Sequence, residues 1–134
     1  TLIIIKRGGS VITDKTRTKG TFRKKVGERL AHEIKTARDK QKFKLILVHG
    51  AGSFAHPIAK KYRLNEEYLD TASSEGFAKT KIGVLELNLL VWKELERAGI
   101  KACIVEPSAV IKAESSQIKE FETKFIEFLL VSEN

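Results

Sequence analysis

The chain is predicted to be an α/β protein: an open, largely parallel sheet with helices on both faces. Two observations predict it. Short apolar runs rich in β-branched residues alternate with longer segments of helical periodicity, in the order β-α-β-α-α-β-α. The first two apolar runs each lead straight into a glycine loop, and in such sheets ligands bind at the carboxyl ends of the strands.

The first strand is Thr1–Arg7, whose LIII run suits a strand buried on both faces. It runs into Lys6, Arg7, Gly8, Gly9 and Ser10, a loop that brings an ammonium and bare backbone amides into one crevice. Phosphate oxygens would find charge and directional donors there. The spacing differs from GxxxxGK[ST], so this is not the common P-loop, and a β-turn with an exposed lysine is the plain alternative. From Asp14 to Lys25 the chain carries Lys15, Arg17, Lys19, Arg23, Lys24 and Lys25 against one aspartate, while Gly20 and the threonines break any helical period. A loop or small hairpin leading into a helix is expected, most of its cations being solvated surface. Lys15 stands apart because it lies just beyond the glycine loop. Arg23–Gln41 then reads as an amphipathic helix with Val26, Leu30, Ile34 and Ala37 on one face.

Lys44–Val48 is the second strand, and the stretch LILVHGAGSFAHP continues it into the second loop. Gly50 and Gly52 let the backbone turn without a Cβ in the way, and Pro57 suits the first turn of a helix, which puts His56 at a helix start. Unpaired N–H groups and a helix dipole converge on such a place, and an imidazole there can donate to a bound anion. The plain alternative is ordinary strand-turn-helix punctuation with a surface histidine. A short helix to about Tyr62 is followed by a loop or helical turn over Arg63–Ser74, with Leu64, Tyr68 and Leu69 as isolated apolar positions. Gly76–Ala98 gives the longest helical signal, with Phe77, Leu85, Leu89, Trp92 and Leu95 near one stripe and Gly99 as its stop. Lys101–Glu106 is expected as a third strand ended by Pro107, Ser108–Lys112 as a short turn of helix, and Ile118, Phe121, Phe125, Phe128 and Leu129 as the face of a final amphipathic helix.

The totals bound the function. A chain of 134 residues allows one domain with a real core but is short for an enzyme holding two substrates. Hydrophobic residues at 42% and charged residues at 31% suit a folded globular chain, and the formal charge of +8 favours anionic partners. A single cysteine, Cys103, excludes an internal disulfide and fits a reducing cytosol. No apolar stretch approaches a signal core or the ~20 residues of a membrane span, so a cytoplasmic protein is expected. No His/Cys cluster has metal-ligand spacing, and Ser53 near His56 lacks the GxSxG setting of a nucleophile elbow. The basic charge comes without a nucleic-acid recognition motif or aromatic platform.

Taken together, the two loops resemble a family. IIIKRGGSVITDK looks like the opening of the amino acid kinase superfamily, and VHGAGSFAHPIAKKY resembles its isopentenyl phosphate kinase branch, in which a histidine stands in this loop. GFAKTKIGVLELN and IKACIVEPSAVI match that branch in character and order, so the resemblance runs from about Leu2 to Ile111. It implies ATP-dependent phosphorylation of isopentenyl phosphate to isopentenyl diphosphate for isoprenoid synthesis, with ATP and Mg2+ as cofactors. Lys6 and Lys15 would neutralise the transferring phosphoryl group, with Gly8, Gly9 and Ser10 lining its path. His56, with the amides around Gly50, Ala51 and Gly52, would hold the acceptor phosphate, and Phe77 and Thr80 would border the isoprenoid tail. Family members continue into a second lobe that binds the nucleotide, so residues 1–134 would be the acceptor-substrate lobe with the nucleotide-binding C-terminal lobe absent. Implied partners are a small-molecule phosphate and a nucleotide, without nucleic acid or membrane, in a homodimer or with a complementing C-terminal chain. Ala55 stands where glycine is usual in the branch, and Arg7 where an apolar residue is usual. Two alternatives stay open: a kinase of another small phosphonate or carboxylate, and a non-catalytic phosphate-binding remnant.

Overall fold

A computed structural model describes residues 1–17, 19–66 and 70–132 of the chain. Strand β1 (Leu2–Arg7) pairs in parallel with β2 (Lys44–His49), in register from Leu2 opposite Lys44 to Arg7 opposite His49. Parallel neighbours need a crossover, and α2 (Lys24–Lys40) supplies it. One helical turn, α1 (Gly9–Ile12), precedes an arm closed by an antiparallel bridge between Thr13 and Phe22, the small hairpin among the sequence expectations. After β2 come a 3-10 turn at Gly52–Phe54, α3 (His56–Lys61) and the long α4 (Thr71–Arg97). The chain then forms α5 (Pro107–Val110), a hairpin of β3 (Ile111–Glu114) and β4 (Gln117–Phe121), and α6 (Lys124–Ser132). Among the described residues no helix is long and apolar enough to cross a membrane.

Side chains alternate across a strand, so the register assigns faces. Ile5, Leu45 and Leu47 share one face and pack against a core of Ile12, Leu30, Ala31 and Ile34 together with Phe54, Leu87, Val91, Leu95 and Ile100. Helices α2 and α4 therefore cover this side. On the other side Leu2, Ile4 and Val48 are 47%, 64% and 42% exposed.

Three expectations need correcting. Lys101–Glu106 joins no ladder among the described residues; it is tied instead to α4, whose Trp92 Nε1 donates to the Ala102 carbonyl at 2.9 Å. Ile118 and Phe121 belong to β4 rather than to a helix, and α6 starts only at Lys124. The buried side of α4 carries Gly76, Gly83, Leu87, Val91 and Leu95, while Phe77 and Leu89 of the expected stripe are exposed. Helix α4 also begins before Gly76: the Asp70 carboxylate accepts from the Ser73 N–H at 2.7 Å, the Ser73 hydroxyl accepts from the Asp70 N–H, and this capping box starts the helix at Thr71. Of the isolated apolar positions before it, Tyr68 and Leu69 lie outside the described residues.

Candidate functional site

Because β1 and β2 end in register, the loops Gly8–Ser10 and Gly50–Gly52 leave the sheet side by side. Backbone meets backbone there. The Gly50 N–H donates to the Arg7 carbonyl at 2.9 Å, and a Cβ on Gly50 would lie 2.7 Å from the Gly9 nitrogen. Gly52 has φ +50, and a Cβ on it would come within 2.6 Å of the Gly9 carbonyl oxygen. A side chain at either position would wedge the loops apart.

Thr13 locks the loops together. Fully buried, its hydroxyl donates to the Gly9 carbonyl at 2.6 Å and accepts from the Ser53 N–H at 3.0 Å. Ser53 in turn accepts the Thr21 N–H through its Oγ at 3.2 Å, which laces the arm onto the second loop. With these bonds made, Gly50 and Ser53 have spent their amides. The N–H groups of Gly9 and Ser10, and of Ala51 and Gly52, have no acceptor among the described residues.

Lys6 ends β1 on the open face of the sheet, beside Val48 on β2, exposed and without an ion pair among the described residues. Lys15 is exposed on the arm, one residue past Asp14. Hydrogen bonds from the Thr16 hydroxyl and amide, with Arg23 and Arg17 nearby, hold the Asp14 carboxyl below its usual range. His56 is the first residue of α3, followed by Pro57 in the first turn, and its ring is exposed with no hydrogen-bond partner among the described residues. Phe77 and Thr80 lie one turn apart on α4, which packs on α3 and the 3-10 turn. Phe77 is 60% exposed, whereas the Thr80 hydroxyl oxygen is buried without a partner.

The two unusual residues differ in how the fold accommodates them. Ala55 is buried with φ −131, a conformation that needs no glycine. Arg7 turns towards Val26, Arg29, Leu30 and Glu33 around a cavity of about 20 Å³, and its Nε is buried without a partner. A cleft of about 1090 Å³ lies by Thr1 and Lys44, at the opposite end of the strands from the loops. Sequence reasoning missed Thr13, whose only signal was a polar residue directly after Val11 and Ile12, and also the pair His49 and Asn88, 3.0 Å apart.

The amino acid kinase family model matches residues 1–134. The chain belongs to the amino acid kinase family. Within that family it is 38% identical over 129 residues to the isopentenyl phosphate kinase of Methanothermobacter thermautotrophicus, covering 93% of this chain and 47% of that protein. The isopentenyl phosphate kinase of Methanocaldococcus jannaschii is 35% identical over 117 residues, or 82% of this chain and 45% of that one. An X-ray structure of isopentenyl phosphate kinase superimposes with a TM-score of 0.91 at 37% identity, over 98% of this chain and 55% of that chain. The T. acidophilum isopentenyl phosphate kinase in its product complex gives 0.81 at 26% identity, over 98% and 52%. The chain thus spans about half the length of these relatives.

Proposed function

We propose that residues 1–134 form the acceptor-substrate lobe of an ATP-dependent kinase that converts isopentenyl phosphate into isopentenyl diphosphate. The observation that carries this reading is the pair of laced glycine loops, which present unpartnered amides beside Lys6 and the helix start at His56. The acceptor is already an anion at neutral pH, so no strong general base is needed. The work is to bring two phosphates together against their repulsion, which cations and fixed N–H donors accomplish. His56 and the amides of Ala51 and Gly52 would hold the acceptor phosphate, with Gly50 as the point of close backbone approach. Lys6 and Lys15 would neutralise the moving phosphoryl group along Gly8, Gly9 and Ser10. The exposed Phe77 and the unpartnered Thr80 hydroxyl would border the tail. Mg2+ would ride on the nucleotide phosphates, its usual arrangement; among the described residues no group of three His, Cys, Asp or Glu could hold it. The nucleotide base and ribose would be bound by a second lobe, on a complementing chain or the rest of a longer one.

Calorimetric titration tests this. Isopentenyl phosphate is expected to bind saturably, and ATP with Mg2+ weakly or not at all. His56→Ala and Lys6→Ala should each lower isopentenyl phosphate affinity about 10- to 100-fold, the worth of one hydrogen bond to a charged group. Phosphoryl transfer by this chain alone would overturn the division of labour, and tighter binding of a phosphonate or carboxylate would reassign the acceptor.

A further inference from the structure

Both polar groups of the Gly50 backbone are held. Its N–H donates to the Arg7 carbonyl at 2.9 Å, and its carbonyl oxygen lies 3.1 Å from Nδ1 of His49. A carbonyl only accepts, so Nδ1 carries the hydrogen. The other ring nitrogen, Nε2, meets the side-chain amide of Asn88 on α4 at 3.0 Å. An amide offers a donor and an acceptor, so by a half-turn Asn88 can serve the imidazole in either protonation state. His49 is thereby anchored to the longest helix while it grips the second loop.

The consequence falls one residue further on. No peptide bond in the described chain is cis, so the Ala51 N–H points opposite to the Gly50 carbonyl, away from the His49 ring. That amide is one of those left without an acceptor among the described residues. We propose that His49 is a positioning residue: by fixing the Gly50–Ala51 peptide against Asn88, it aims the Ala51 N–H at the bound acceptor phosphate. The inference rests on the acceptor-site reading above and assigns a role within it to a residue that need not touch substrate.

Nitrogen-15 NMR titration of the full chain with isopentenyl phosphate tests it, in wild type and in His49→Asn, His49→Gln and His49→Phe. The short amide of asparagine can replace Nδ1, whereas glutamine reaches only towards Asn88. Wild type and His49→Asn are expected to bind within about threefold of each other, with a large shift of the Ala51 amide. His49→Gln and His49→Phe should bind about tenfold or more weakly, with that shift reduced. Equal affinity in all four proteins, or rescue by glutamine and not asparagine, would overturn the role of His49 while leaving the acceptor site standing. Absence of binding by wild type would instead overturn the acceptor site, and the role of His49 with it.

Discussion

At the scale of single residues, the site is held by bonds that a sequence does not display. Thr13 joins Gly9 to Ser53, which lies 40 positions further along the sequence than Thr13 itself, through one buried hydroxyl. Thr13→Val keeps the shape and removes both side-chain bonds, leaving the Ser53 N–H without a partner and the Gly9 carbonyl with the Thr13 N–H alone. A loss of about 1–3 kcal/mol is expected by urea unfolding, with weaker binding of the proposed acceptor; Thr13→Ser, which retains the hydroxyl, should lose roughly 1 kcal/mol for its missing methyl. The placement of the glycines, Lys6 and His56 at two adjoining loops was legible because each carries its own local signal: a backbone without Cβ, a cation at a strand end, a histidine before a proline. Thr13 carries only the weak signal of a polar residue after two apolar ones, and His49 carries none. What they do depends on which loop the fold brings opposite them, and local pattern does not report that.

Among elements, β1, α2 and β2 were legible because each carries a local signal, an unbroken apolar run in the strands and an apolar stripe at helical spacing in α2. The segment 111–121 was not. Its two strands turn at Ser115 and Ser116, both at positive φ as in a type I′ hairpin, where Asn-Gly would have been the recognisable signal. The spacing of Ile118, Phe121 and Phe125 then imitated one helix face. Lys101–Glu106 has strand-like composition, but a strand also requires a neighbour to pair with. Helix α4 depends on its start. Hydrogen bonds from the Ser73 amide and hydroxyl hold the Asp70 carboxyl below its ordinary value of 3.8. A carboxyl lowered in the folded state adds stability above the unfolded value and loses it as pH falls through the folded one. Asp70→Ala should lower Tm at pH 7 by about 4 °C, and the gap to wild type should narrow in scans below pH 4.

For the whole molecule, the asymmetry of the sheet dominates. One face is sealed by α2 and α4, and the other presents Leu2, Ile4 and Val48 to solvent in a chain about half as long as its relatives. Exposed apolar faces and unpaired strand edges invite association. Sedimentation of this chain alone at tens of micromolar is expected to give species larger than a monomer. Ile4→Lys should return it to monomer with little change in Tm, and a monomeric wild type would count against the idea. The α/β class and the parallel pairing were legible at this scale, since both follow from the order of periodic segments. The open face was not, because burial depends on what lies opposite a strand. The hydrogen bond from Trp92 to Ala102 gives this molecule an optical consequence as well. Trp92 is the sole indole in the chain, and it joins α4 to the run after Gly99. Its emission therefore reports one seam of the molecule, so fluorescence can follow the release of that run separately from the loss of helix seen by circular dichroism.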